Sequence, residues 1–153
     1  MKNSLFISAE AGGRAISAID RLLPLICKKL DEKNFDVSKY SDDMTDIGII
    51  INCFPDDLMA AGFGKPRIKL RYVDGTADIR LPMPYVDFIN ADDDVRLLMM
   101  VRNITESVKV IGERCRKSRR AGFDSEGMIT EILSRMGINK EELDGIQGVM
   151  PQS

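Results

Sequence analysis

The chain has 153 residues, the length of a single domain with its own core. It is 44% hydrophobic and 30% charged with a formal net charge of −2, which is typical of a globular protein and favours no nucleic-acid partner by bulk charge. No apolar run approaches the roughly 18 residues of a membrane span. The apolar part of the N-terminus is too short for a signal peptide, so a cytoplasmic protein is expected.

The side-chain inventory argues against several kinds of catalysis. The chain contains no histidine, which removes Ser-His-Asp and Cys-His nucleophiles and the commonest zinc ligands. Its three cysteines, Cys27, Cys53 and Cys115, have no CxxC spacing and lie in or beside apolar stripes. They are interpreted as reduced core residues. We therefore expect no catalytic residue, no metal site and no cofactor.

The chain begins with a short strand and an amphipathic helix. Residues 4–8 predict the strand, and residues 11–32 predict the helix, with an apolar stripe at Ile16, Ile19, Leu23, Ile26 and Leu30. Pro24 lies inside this pattern and predicts a bend in one continuous helix. Residues 35–40 predict a weak edge strand, and the apolar run at residues 46–54 predicts a central strand.

A hairpin is the clearest local pattern. Residues 67–73 and 76–81 alternate apolar and polar, and Asp74-Gly75 between them predicts a type I′ turn. That turn would place residues 73 and 76 opposite each other, and likewise Ile68 and Leu81.

Helices dominate the second half. Apolar residues at helical spacing predict one long helix over residues 91–120 and a shorter one over 125–136 that ends at Gly137. Strands in the middle with helices at both ends indicate an α+β fold, a largely antiparallel sheet with helices packed on one face. We expect a single domain over residues 1–138 and a loosely ordered tail over 139–153.

Two local patterns could hold a small ligand. Gly12-Gly13-Arg14 joins a strand to a helix, where backbone amides can bind an anion, although a tight turn also explains the glycines. Asp92, Asp93 and Asp94 could bind a hard cation, but three acids at a helix start also suit the helix dipole.

Charge is distributed unevenly along the chain. Residues 31–57 contain eight acidic residues and two lysines, whereas residues 109–120 are strongly basic. The basic stretch lacks the aromatic residues and the motifs of a nucleic-acid reader. Charged runs are often simply solvated faces, but a concentrated acidic face is also what a binder of basic proteins uses.

The opening sequence LFISAEAGGRAISAIDRLLP, the absence of a catalytic set and the acidic stretch together resemble the immunity proteins of bacterial toxin systems, in particular those of contact-dependent growth inhibition. The resemblance implies a non-enzymatic protein that binds the C-terminal toxin domain of a sibling cell, usually a nuclease, and blocks it.

Two hypotheses of different classes follow. The first is a stoichiometric inhibitor that contacts a basic toxin through acidic and aromatic residues, for which the candidates are Asp42, Asp43, Asp46, Asp56, Asp57, Tyr40 and Phe63. The second is a small ligand-binding or nucleotide-binding protein, or a carboxylate-dependent enzyme, with its site near Gly12-Gly13-Arg14. No direct contact with nucleic acid or membrane is expected.

Overall fold

A computed structural model describes residues 4–42, 44–57, 67–72, 75–79, 83–117 and 122–146. The strands are β1 (Ser4–Ala11), β2 (Met44–Cys53), β3 (Arg67–Tyr72) and β4 (Gly75–Ile79). The helices are α1 (Ala15–Leu30), α2 (Tyr85–Asn90), α3 (Asp93–Lys117), α4 (Ser125–Met136) and α5 (Lys140–Asp144). Two short 3₁₀ turns, Glu32–Asn34 and Val37–Lys39, lie between α1 and β2.

The four strands form one mixed sheet in the order β1-β2-β3-β4. β1 and β2 are parallel, whereas the β2–β3 and β3–β4 pairs are antiparallel. The mixed α and β architecture agrees with the sequence prediction, but the expectation of a largely antiparallel sheet is corrected by the first pair. Helix α1 carries the chain back to the starting end of the sheet, so β2 runs in the same direction as β1.

Helices cover one face of the β1–β2 pair. Leu5 and Ile7 are buried on this face, and their register partners Ile47 and Ile49 are buried beside them. Helix α1 contacts β1, and α3 contacts β2. On the opposite face Phe6 is 55% exposed. The alternation of buried and exposed residues is the pattern of a sheet with one covered face.

The prediction of a strand at residues 35–40 is wrong. Val37–Lys39 is a 3₁₀ turn, and only an isolated bridge joins Asp36 to Ser4. The Asp36 carboxylate accepts hydrogen bonds from the Ser38 amide at 3.0 Å and the Ser38 hydroxyl at 2.6 Å. Such local side-chain bonds offer the backbone an alternative to a ladder, and here the alternative prevails.

The hairpin forms in a register different from the predicted one. Tyr72 pairs with Gly75, and Ile68 pairs with Ile79 rather than Leu81. Thr76 pairs with Arg71, so the predicted pairing of residues 73 and 76 is wrong. Gly75 is a strand residue and not the second residue of the turn. Residues 73 and 74 lie outside the described residues. A shift of two residues keeps every side chain on the same face, so alternation alone cannot distinguish the two registers.

The long helix predicted over residues 91–120 is α3, which begins at Asp93 and continues to Lys117. A separate short helix, α2, precedes it and ends at Asn90. The Arg96 guanidinium donates to the carbonyl oxygens of Phe88 at 2.9 Å and Ile89 at 2.7 Å, so a side chain of α3 satisfies the end of α2. Residues 118–120 of the predicted helix lie outside the described residues.

The remaining helices can be compared with those that the spacing of apolar residues predicts. α1 runs unbroken through Pro24, but its buried stripe uses Ala18 and Leu22, and Ile16 is 47% exposed. α4 has the predicted bounds and ends at Gly137 with φ of 70°. α5 has an Asn139 capping box and a buried Leu143. The proposed division at residue 138 remains a prediction.

Candidate partner-binding surface

Two distant segments meet just before β2. Ser41 forms an isolated bridge with Phe123, and the Asp124 amide donates to the Tyr40 carbonyl oxygen at 2.7 Å. The junction leaves an open cavity of about 390 Å³, lined by Lys39, Tyr40, Ser41, Asp42, Gly122, Phe123 and Asp124. Asp42 and Asp124 are exposed, whereas Tyr40 and Phe123 are half-buried. We call Tyr40, Asp42, Phe123 and Asp124 the junction surface.

A network of polar and aromatic contacts fixes Tyr40. Its hydroxyl donates to Glu131 Oε1, and Glu131 forms an ion pair with Arg135. The Arg135 guanidinium lies 5.0 Å from the centre of the Phe35 ring and donates to the Leu30 carbonyl oxygen at 2.6 Å. These contacts hold one aromatic side chain of the junction surface in place before any partner arrives.

The same environment keeps the Tyr40 phenol protonated. Burial, the hydrogen bond to Glu131 and the negative charge of Glu131 raise the pKa of Tyr40 to about 12. Near neutral pH the residue therefore adds a neutral aromatic group, not a charge, to a surface whose carboxylates are Asp42 and Asp124.

The structure divides the acidic residues that the sequence singled out. Asp42 is exposed at the start of β2, and Asp56 and Asp57 are exposed beyond its end. Because β2 has ten residues, these groups lie roughly 30 Å apart at about 3.3 Å per residue. Asp46 accepts a hydrogen bond from the Ser4 amide at 3.1 Å, which links β1 to β2. The candidates Asp43 and Phe63 lie outside the described residues.

Sequence reasoning missed Phe123 and Asp124. Asp124 Oδ1 accepts a hydrogen bond from the Gly127 amide at 2.9 Å and caps α4. A helix-start pattern identifies that cap, but it cannot show that residue 124 lies beside residue 40. The long-range bridge is a tertiary contact with no local signal.

The strand–helix turn at Gly12-Gly13-Arg14 is already hydrogen-bonded. The Gly12 amide donates to Cys53 O at 3.0 Å, and the Arg14 amide donates to the Tyr85 hydroxyl at 2.9 Å. Tyr85 donates in turn to Gly12 O at 3.2 Å. Gly13 has a φ of +59°, so the turn itself requires a glycine. These bonds occupy backbone amides that an anion would need.

Asp93, the first residue of α3, forms two ion pairs. Asp93 accepts from Arg21 at 2.6 Å and from Arg96 at 3.2 Å. The hydrogen bond from Arg21 is the main cause that lowers the pKa of Asp93. Among the described residues, no group of three or more histidine, cysteine, aspartate or glutamate side chains could hold a metal ion.

The cysteines are free thiols. Cys53 and Cys115 are buried and Cys27 is half-buried. Burial is the main cause that raises the pKa values of Cys27 and Cys53 to about 12, and the hydrogen bond and charge of Glu32 add to the effect at Cys27. Both thiols therefore stay protonated near neutral pH, which makes them poor nucleophiles.

A larger groove of about 620 Å³ lies between α3, α4 and α5. Leu133 and Leu143 contribute to its apolar floor. Its rim mixes both signs of charge, from Glu106, Lys109, Glu113, Arg116, Glu126, Lys140 and Asp144. The groove therefore has no single-sign field that would select an acidic or a basic partner.

Comparison with known proteins identifies one family. Searches of curated proteins and of solved structures found no match. In the described parts of the chain, no helix has both the length and the apolar character to cross a membrane. A family model described as Immunity protein 44 matches residues 3–137, most of the chain. The chain therefore belongs to the Immunity protein 44 family, a family of bacterial toxin immunity proteins.

Proposed function

We propose that this protein neutralises a cognate toxin by forming a one-to-one complex with the toxin's C-terminal domain. The toxin is a basic nuclease delivered by contact-dependent growth inhibition, and the complex forms in the cytoplasm. The immunity protein acts by occupying a surface of the toxin, and it carries out no reaction of its own.

The observation that carries this proposal is the junction surface. It combines two exposed carboxylates, Asp42 and Asp124, with two half-buried aromatic side chains around an open cavity. Aromatic anchors surrounded by charge are typical of protein contact surfaces, where the charges direct encounter and fix orientation. Tyr40 is held by Glu131, so little side-chain entropy is lost when it is covered.

The sign of the charge suggests the partner. Proteins that act on nucleic acids bind phosphates through lysine and arginine. A carboxylate surface that pairs with those side chains both blocks the toxin's substrate surface and speeds association. A nuclease domain therefore fits the junction surface better than an acidic toxin would.

A charge-change experiment tests the surface. The variant Asp42→Lys with Asp124→Asn removes the negative charge, and Asn at residue 124 preserves the helix cap. We expect association with the toxin domain to slow by about tenfold at low salt and to become less dependent on salt. The measurement is association and dissociation rates at several salt concentrations.

A matched control comes from the other end of β2. Asp56→Lys with Asp57→Asn makes the same change of charge at exposed residues about 30 Å away. We expect it to leave association within about twofold of wild type. If only the control variant slows association, the contact lies at the far end of β2. If neither variant slows association, the hypothesis that these acidic residues speed association with the toxin is wrong.

A further inference from the structure

The outer edge of β1 is paired along only part of its length. β1 is an edge strand of the sheet. The Ile7 amide donates to Glu32 Oε2 at 2.9 Å, and the Cys27 sulfur lies 3.8 Å from the Ile7 carbonyl oxygen. The Ser4–Asp36 bridge covers the beginning of the strand. The segment after α1 thus protects the first half of this edge.

Among the residues that the structure describes, none covers the second half of the edge in this way. Backbone groups alternate in direction along a strand, so Ala9 and Ala11 point their amides the same way as Ile7, away from β2. The Gly12 amide, which donates to Cys53 O at 3.0 Å, confirms that even-numbered residues face β2. Within the described residues, no hydrogen bond reaches the outward amide or carbonyl of Ala9 or the outward amide of Ala11.

We propose that this open edge, from Ala9 to Ala11, receives an extended segment of the toxin, which extends the sheet by one strand. The inference rests on the proposed function, because it names the toxin as the partner. Unpaired edge amides and carbonyls are a template for another strand, and such addition is a common mode of peptide recognition. The edge is a second contact, formed by β1 and separate from the residues of the junction surface.

The surroundings of the edge favour a basic partner over a second copy of this chain. Glu32 lies on the same edge, where its carboxylate accepts a hydrogen bond from the Ile7 amide. Two copies pairing antiparallel about Ala9 would place Ile7 of each opposite Ala11 of the other. The Ile7 edge groups are already engaged by Glu32 and Cys27, so such a dimer could not extend beyond Ala9.

Residue-resolved hydrogen exchange tests the proposal on the unmodified protein. The probe is an inactivated toxin domain encoded by the reading frame next to that of this chain. In the free protein, the Ala9 and Ala11 amides should exchange much faster than those of Ser8 and Glu10, which face β2. In the complex, exchange at Ala9 and Ala11 should slow by at least about tenfold.

A proline substitution supplies the second measurement. Ala9→Pro removes the outward amide without removing a bond to β2, a position where an edge strand tolerates proline. Ala9→Ser is the matched control, because it retains that amide. We expect Ala9→Pro to weaken toxin binding by about tenfold and Ala9→Ser by less than about twofold.

The outcomes separate this inference from the proposed function. If the toxin domain binds but Ala9 and Ala11 exchange as before, the edge proposal is wrong and the inhibitor function stands. If the toxin domain does not bind, both the edge proposal and the proposed inhibitor function are wrong. If Ala9 is protected in the free protein and the protein is a dimer in solution, the edge belongs to a second copy and the proposal is wrong.

Discussion

The turn between β1 and α1 allows a quantitative prediction about Gly13. Its φ of +59° lies in the left-handed region, and an added Cβ would stand 2.6 Å from the Tyr85 hydroxyl oxygen. That hydroxyl accepts from the Arg14 amide and donates to Gly12 O. A side chain at residue 13 must therefore strain the backbone and also displace Tyr85.

The two effects have separable magnitudes. The left-handed conformation costs a non-glycine residue about 1–2 kcal/mol, and two lost hydrogen bonds cost about 0.5–1.5 kcal/mol each. We therefore predict that Gly13→Ala lowers the free energy of unfolding by about 2–5 kcal/mol. Urea denaturation followed by circular dichroism measures this difference.

Two controls isolate the steric part. Gly137→Ala has the same unfavourable left-handed backbone at φ of +70°, but no atom of the described residues lies within 4 Å of the added Cβ. It should therefore cost only about 1–2 kcal/mol. In a Tyr85→Phe background, Gly13→Ala should also fall to the backbone cost, because the next atom of Tyr85 is 3.7 Å from the Cβ. Equal losses for Gly13→Ala with and without the Tyr85 hydroxyl would refute the reasoning.

Three further predictions concern the thiols, the phenol and the helix cap. Because the pKa of Cys27 is raised to about 12, a thiol reagent near neutral pH should label it more than about a hundredfold slower in native than in unfolded protein; rapid native labelling would contradict this. The pKa of Tyr40 is raised from 10.0 to about 12, so its contribution to stability is complete below pH 10 and is lost as the pH rises toward 12. Between pH 10 and pH 12, the free energy of unfolding should fall less in Tyr40→Phe than in wild type. An equal fall in both proteins would contradict the hydrogen bond between Tyr40 and Glu131. Asp124→Ala should cost about 1 kcal/mol through the lost cap of α4, and Asp124→Asn almost nothing; thermal unfolding distinguishes them, and equal losses would exclude a capping role.

Local patterns accounted for much of the fold. The bounds of α4, its end at Gly137 and the apolar run of β2 follow from helical periodicity, a left-handed glycine and β-branched residues. The errors arose where two local solutions satisfy the same pattern. Asp36 could extend a strand or form a turn with Ser38, and the hairpin could pair in either of two registers that bury the same faces.

The candidate site was only partly accessible from the sequence. The run of acids identified Asp42, but it placed Asp56 and Asp57 in the same group because they are neighbours along the chain. An extended strand separates them in space. Asp124 was absent from the candidates because a tertiary contact brings it to the site. Its backbone amide donates a hydrogen bond to the Tyr40 carbonyl oxygen, and the two residues are far apart in sequence.

The parallel pairing of β1 and β2 was missed for a different reason. Each strand was recognised, but the pairing depends on the path of the chain through α1. A strand–helix–strand segment favours parallel neighbours. The β1–α1–β2 connection therefore predicts the parallel pair, whereas the number of strands in the middle of the chain does not.

The most direct test of the central claim is a titration of toxin activity with the purified protein. The account predicts that activity falls linearly and reaches its minimum at one immunity protein per toxin domain, because inhibition is by occupation. Loss of activity far below a one-to-one ratio would indicate an enzymatic mechanism. Full toxin activity in the presence of excess protein would contradict neutralisation by binding.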